Sequence, residues 1–412
     1  MSTHDVAIIG AGLAGLTAAA YLSASGKKVI VLDPSPEAGG ILAAFERSGF
    51  LFPAGPSLAH GFGPEGPYRK VFGLLGMPLP GTEDGRRYQI ALPDHRISVS
   101  PDAQETLEEL HREYPRESDA LAGLFRDTSR IAERNARSRM AAALSRRRSA
   151  ADFLRLYRFS SEVTAFFDVQ ARFFHGVPVA GLSLAVLVDL IQSPPRSVPG
   201  SYHGLAARLR SQIIRQGGEC RFGEPWPAIR FHSTRIAALG TSREIIEPRA
   251  VIVNSSLEAS LHNLYLGMQA DGIPVGMQET VLVLPAYDRP GDILSVSIAS
   301  PEEGQVPAPG MRAVTASCRS QGGTASEQLP SLREQVRSLM PFYEDFCVLS
   351  RQEDFSARRF PLPGQVRLRP ARASAGGPVA LTGSIRNLYL IPDGAPAERN
   401  IQAARRIADR LA

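Results

Sequence analysis

The run VAIIGAGLAGLTAAAYLSASGKKVIVLD, residues 6–33, decides the fold. Val6 to Ile9 is a short apolar stretch closed by Gly10, the pattern of a strand buried on both faces. GAGLAG then sets Gly10, Gly12 and Gly15 in the spacing G-x-G-x-x-G, and helix-forming residues continue until Gly26. KKVIVLD reads as a second strand ending in Asp33. Each glycine answers a separate steric demand: a tight turn, a close approach of backbone to a pyrophosphate, and close packing of helix on strand. The helix opens on Leu13, Ala14 and Gly15, whose N–H groups lack partners within the first turn and suit an anion. Asp33 lies near the ~20-residue distance at which a carboxylate takes ribose hydroxyls, and it would repel a 2′-phosphate. The expected ligand is a dinucleotide with an adenosine half.

Working outward, LDPSPEAGGIL (32–42) places a glycine pair, Gly39 and Gly40, shortly after the acid. A second close backbone approach there is not part of the ordinary NAD pattern. With it the chain resembles the superfamily of phytoene desaturases and flavin-containing amine oxidases, whose N-terminal pattern is G-x-G-x-x-G, an acid, then G-G-R. GFLFPAGPSL (49–58) is similar to that family's G-[FY]-x-F-D-x-G-P-S segment. Residues 158–191 resemble its substrate-domain helices, and 199–229 the return to the cofactor domain. EPRAVIVNSSLEASLHNLYLG (247–267) looks like the next strand, ending in Asn or Ala near the cofactor, and NLYLIPDG (387–394) like the last.

The resemblance implies an α/β architecture: a Rossmann-like FAD-binding domain from residues 1–75, 199–265 and 378–412, with a discontinuous α+β substrate domain from 76–198 and 266–377. It implies FAD held by Gly10, Gly12, Leu13, Ala14, Gly15, Asp33, Gly39 and Gly40. Trp226 falls where the family's backbone meets the adenine, and Asp393 and Gly394 fall at the ribityl and phosphate region. Four departures accompany these matches. Ile41 replaces the arginine after the glycine pair, and Pro53 replaces an acid. Pro392 stands in for a glycine and offers no N–H. Arg405-Arg406 takes the place of a small Ser-Gly pair in the final helix, whose N-terminus in the family points at the flavin.

Composition narrows the remaining classes. At 412 residues the chain is long enough for two domains, and 43% hydrophobic with 21% charged residues is globular. A net charge of +5 is too slight an excess to point to nucleic acid. Cys220, Cys318 and Cys347 are odd in number and far apart, so neither a disulfide framework nor a metal site is expected, and a reducing cytoplasmic setting is. No apolar run approaches the roughly 18–20 residues of a spanning helix.

His60, after the G-P-S segment, is the candidate for moving a proton near the ring. His175 and His203 are weaker, with no orienting partner nearby in sequence. The arginine-rich stretch 130–159, interleaved with Met140, Leu144, Phe153, Leu154 and Tyr157, reads as a solvated helical face, a protein contact or a peripheral membrane contact.

The activity implied is hydride transfer between a small apolar, isoprenoid-like substrate and flavin. A degenerate partner subunit and a flavin-dependent non-redox isomerase are the alternatives.

Overall fold

The computed structural model describes residues 1–40, 43–53, 58–60, 66–78, 86–193, 195–197, 201–256, 260–299, 306–320, 325–354, 360, 381–382, 385–393 and 397–412. Two sheets organise them. The first begins with β1 (Ser2–Ile9), which continues through helix α1 (Leu13–Ala24) into β2 (Val29–Asp33). Val6 and Ile8 point into one apolar cluster, Ala7 and Ile9 into another on the opposite face. The uninterrupted apolar run follows from that two-sided burial.

Three further parallel strands complete the layer: β3 (Glu219–Phe222), β4 (Ile245–Ser256) and β5 (Leu388–Asp393). Their order is β3-β2-β1-β4-β5, so the strand sequence reverses between β1 and β4. Ligands of open α/β sheets bind at that reversal, beyond the carboxyl ends of the strands. The antiparallel pair Ala228–His232 and Arg235–Gly240 attaches to the start of β4.

All of α1 from Leu13 to Ser23 is buried except Tyr21, because the helix lies between the sheet and two others, Ser201–Arg215 and the C-terminal Ala397–Leu411. A helix enclosed on every side needs no polar face. It stops at Gly26, which adopts φ +76°. There Lys27 N–H donates to the Leu22 carbonyl (3.0 Å) and Gly26 N–H to that of Ser23 (3.0 Å), satisfying the last carbonyls.

The second sheet has seven strands in the order 347–354, 260–269, 311–320, 294–298, 280–283, 88–91 and 96–99. One face packs on the helix Ala325–Leu339 through Leu332 and Val336. The helices between 103 and 192 form a second core with Tyr88, Ile90, Ile97, Leu282 and Leu284. The domain boundary expected at 265 falls inside the strand Ser260–Gln269, which is hydrogen-bonded on both edges within the second sheet. β4 ends at Ser256, so the first unit is left earlier than the sequence suggests.

The hairpin Ala44–Arg47/Phe50–Pro53 joins the two units. Phe50 and Phe52 are buried with Tyr265 and Ala313 of the second sheet, each burial stabilising by about 2–3 kcal/mol. Phe50 covers Gly267, where a Cβ would come within 2.7 Å of its ring. Pro53, where the family pattern has an acid, contributes its carbonyl, which accepts the Thr315 hydroxyl at 3.2 Å.

Candidate dinucleotide site

The site is built by the turn between β1 and α1. Gly10 has φ +102°, and a Cβ there would sit 2.2 Å from the backbone oxygen of Asn254 at the end of β4. Only glycine meets both conditions. A Cβ on Gly15 would lie 2.1 Å from the Gly10 carbonyl oxygen, so the third glycine lets the helix start press on the strand end. Gly12 is the N-cap residue of α1 in an extended conformation (φ −68°, ψ 173°), and Leu16 N–H donates to its carbonyl (2.9 Å). Gly15 N–H donates to Asn254 Oδ1 at 2.7 Å. The N–H groups of Leu13 and Ala14 have no acceptor among the described residues, which leaves them for an anion at the positive end of the helix dipole.

Asp33 is buried, and both its oxygens are already engaged. Oδ2 accepts Ala11 N–H at 2.7 Å and Oδ1 accepts Ser35 N–H at 2.8 Å. The backbone therefore orients the carboxylate before any ligand arrives. A carboxylate offers about four lone-pair sites, so acceptor capacity remains for ribose hydroxyls.

Gly39 and Gly40 close the second side. Gly39 N–H donates to the Ala11 carbonyl at 2.9 Å, and Gly39 forms a parallel bridge with Gly12. Both have positive φ, +127° and +59°, and a Cβ on Gly40 would stand 3.5 Å from the Gly12 Cα. The loop after β2 thus folds back onto the glycine turn. Gly10, Gly12, Leu13, Ala14, Gly15, Asp33, Gly39 and Gly40 come together at the sheet reversal.

The remaining candidates sit differently. Ile41 and Gly394 lie outside the described residues, as does His203's side chain. The backbone of Asp393 pairs opposite Ser256 at the end of β5, with Pro392 opposite Ser255; their side chains lie outside the description. Trp226 packs edge-on against Phe360 (5.4 Å) in the apolar cluster with Ile229 and Phe231.

His60 is buried, with Nε2 at 3.2 Å from the Asp189 carbonyl and 3.8 Å from its Oδ2. Its ring meets Phe174 and His175 at 5.6 and 5.1 Å. These partners come from the helices Ser161–His175 and Leu184–Gln192 of the second unit.

Arg405-Arg406 lies within the final helix, as the sequence suggests. The pair sits in the third turn of the helix Ala397–Leu411, roughly 12 Å along it at 1.5 Å per residue. Arg405 lies 3.8 Å from Asp409 beside Tyr21 of α1, and Arg406 is exposed. It therefore does not occupy the helix start that faces a flavin in the family pattern.

Burial pushes the thiols of Cys220 and Cys318 up to about 11, which keeps them protonated. Among the described residues no group of three His, Cys, Asp or Glu could hold a metal. Nor, among them, is any helix long and apolar enough to cross a membrane.

Asn254 was not among the sequence candidates. Its signal was a polar residue ending an apolar strand at the family's cofactor-facing position.

A profile of the NAD(P)-binding Rossmann-like domain matches residues 8–75. Chloroplastic prolycopene isomerase of Arabidopsis thaliana is 27% identical over 134 residues, 32% of this chain and 22% of that protein. The 4,4′-diapophytoene desaturase (4,4′-diaponeurosporene-forming) of Staphylococcus haemolyticus is 40% identical over 53 residues, 13% of this chain and 11% of the relative. The aligned part thus spans about a fifth or less of these curated relatives' length.

Solved structures match along nearly the whole chain. Rab GDI of Plasmodium falciparum has a TM-score of 0.69 at 11% identity, covering 98% of this chain and 97% of its own. Cyclohexylamine oxidase of Brevibacterium oxydans has 0.53 at 14%, covering 99% and 98%. Fold and site define a two-domain protein with a Rossmann-like dinucleotide-binding domain. By these matches the chain is similar to carotenoid isomerases and desaturases over a third of its length or less, and it shares its fold with cyclohexylamine oxidase.

Proposed function

We propose that the protein is an FAD-dependent oxidoreductase acting on a small apolar, isoprenoid-like substrate. The observation that carries this reading is the bridge between Gly39 and Gly12, which sets a second bare-backbone wall against the glycine turn. The cradle fits the group: Gly10 and Gly15 leave backbone where a Cβ would collide, and the N–H groups of Leu13 and Ala14 have no acceptor among the described residues. Gly10, Gly12, Leu13, Ala14 and Gly15 hold the diphosphate, Asp33 the adenosine ribose, and Gly39 and Gly40 permit close approach. Bound FAD supplies the hydride-accepting ring, and the protein supplies position and polarity. The hairpin 44–53 keeps the second unit in place over the first, which excludes water from a substrate held between them.

The match to prolycopene isomerase favours one other reading, in which flavin is used for isomerisation without net redox. The departures at Ile41 and Pro392 motivate a third, a partner subunit without chemistry. The visible spectrum of purified protein, before and after FAD addition and desalting, separates them. Retained bands near roughly 370 and 450 nm, bleached by an apolar substrate, support the oxidoreductase. Product formed without an electron acceptor points to the isomerase, and a colourless protein that retains no FAD overturns both.

We also propose that the arginine-rich face docks on an anionic lipid surface. The segment folds as three helices, Ser118–Arg137, Arg139–Arg147 and Ala150–Leu154, separated by the capping residues Ser138 and Ser149. Ala142 and Ser145 turn the middle helix inward, so its outer crest carries Met140 (74% exposed) and Leu144 (55%) one turn apart, beside Arg147. Leu156 is 71% exposed nearby in sequence. Among the described residues Arg139, Arg147 and Arg148 have no ion-pair partner, so their charge complements lipid phosphates while the apolar side chains reach the acyl boundary.

A further inference from the structure

We propose that Asn254 is a specificity-determining residue of the dinucleotide site, capping α1 from another strand and turning its amide NH2 toward the diphosphate. The inference rests on the dinucleotide reading above.

Helix N-termini are ordinarily capped by the side chain of the N-cap residue, whose oxygen accepts the second or third N–H of the helix. Here the N-cap is Gly12, which has no side chain to offer. A Cβ at that position would meet Asn254 Nδ2 at 3.3 Å and Oδ1 at 3.5 Å, so the space a capping side chain would leave from is taken. The missing acceptor comes from β4, 239 residues away in sequence, as Asn254 Oδ1 accepts the third helical N–H, that of Gly15. Bare backbone at position 12 and a capped helix are thereby obtained together, which a single Ser or Asp at that position could not achieve.

The same hydrogen bond settles the amide's orientation. With Oδ1 committed to an N–H donor, the opposite end of the group must be the NH2, and it lies beside Gly12. Asn254 is only 5% exposed, and none of the described residues accepts from Nδ2. Nδ2 is not fully closed off from solvent, so its donors remain available to a ligand. It stands at the sheet reversal next to the open N–H groups of Leu13 and Ala14, so three donors face the same place and suit a dianionic group. A carboxylate in this position would cap the helix as well and repel the ligand.

The test separates the two roles by replacing Asn254 with aspartate and with alanine and titrating each with ADP and with adenosine by ligand-observed NMR. Asn254→Asp keeps the acceptor for Gly15 N–H, so it should melt no lower than the parent while binding ADP at least tenfold more weakly and adenosine unchanged. Asn254→Ala should melt lower and also lose ADP more than adenosine. Parent-like ADP binding by Asn254→Asp, or equal loss of ADP and adenosine in both variants, would overturn the proposal. If the parent binds neither ligand, the dinucleotide reading itself fails, and this inference fails with it.

Discussion

Two regions of the molecule present positive potential, and they use opposite physics. At the glycine turn the positive field comes from backbone N–H groups at the start of α1, held between Gly10, Asn254 and the Gly39–Gly40 loop, with no basic side chain among the residues that form it. On the helices between 118 and 154 it comes from exposed guanidinium groups on long, mobile side chains. Fixed dipoles in a closed turn cost no reorganisation when ligand binds and are little screened by salt, whereas exposed charges are screened within about 8–10 Å. Net charge therefore says nothing about the first region. It hints at the second only once the structure shows which arginines are unpaired.

The largest expected effect tests whether the turn is as sterically closed as the geometry states. Gly10→Ala places a Cβ 2.2 Å from the Asn254 carbonyl at positive φ, and should cost about 3 kcal/mol or more in urea unfolding and abolish FAD retention. Gly26→Ala has a similarly positive φ but nothing within 4 Å, so it should cost only about 1–2 kcal/mol and leave FAD binding intact. Equal costs for the two would show that backbone conformation, not closure against β4, explains the glycine.

A smaller effect sharpens the contrast in salt. Co-sedimentation with phosphatidylserine-containing vesicles should fall steeply from low to physiological salt, while ADP binding at the turn changes little. Replacing Arg147 and Arg148 by serine should weaken vesicle binding by about 2 kcal/mol, roughly 30-fold, and Leu144→Glu should weaken it further without altering ADP affinity. Vesicle binding that ignores both changes would remove the lipid proposal. Specific capture of a protein at this face by a parent chain that ignores vesicles would replace it.

The smallest concerns pH. His4 on β1 is buried, and desolvation, the largest influence, holds its pKa below the usual histidine value despite Glu219 Oε2 at 3.7 Å. The unfolded chain then takes up a proton more readily than the folded one, so stability is intact above pH ~6.5 and declines as pH falls below it. His4→Gln should flatten that decline in thermal melts between pH 7 and 5. An unchanged slope would assign acid sensitivity elsewhere.

Much of the dinucleotide half was legible in sequence because its determinants are local. Gly10, Gly12 and Gly15 are separated by one turn, and Asp33 ends the next strand, so spacing alone carries them to one place. The glycine pair was legible as a close approach, but not its partner: Gly39 reaches back to Ala11, a contact set by how the loop folds and not by any periodicity. His60 read as a ring-side residue from its place after G-P-S, whereas its described partners are Asp189, Phe174 and His175, brought from more than a hundred positions away. Arg405-Arg406 was legible as part of the final helix, but not how far along it the pair lies, since eight residues of helix separate it from the helix start.

By itself the sequence determined the parallel α/β character of the first unit, the glycine turn and the acid that follows it, since two-sided burial, a positive-φ turn and a strand-ending carboxylate are each written in adjacent residues. Only the tertiary structure decided that β4 is left for the second sheet after Ser256, that the hairpin bearing Phe50 and Phe52 fastens the two units, and that Asn254 caps α1 across the sheet reversal. The reason is physical: those features are contacts between segments hundreds of residues apart, fixed by which surfaces must be buried and which backbone donors must find an acceptor.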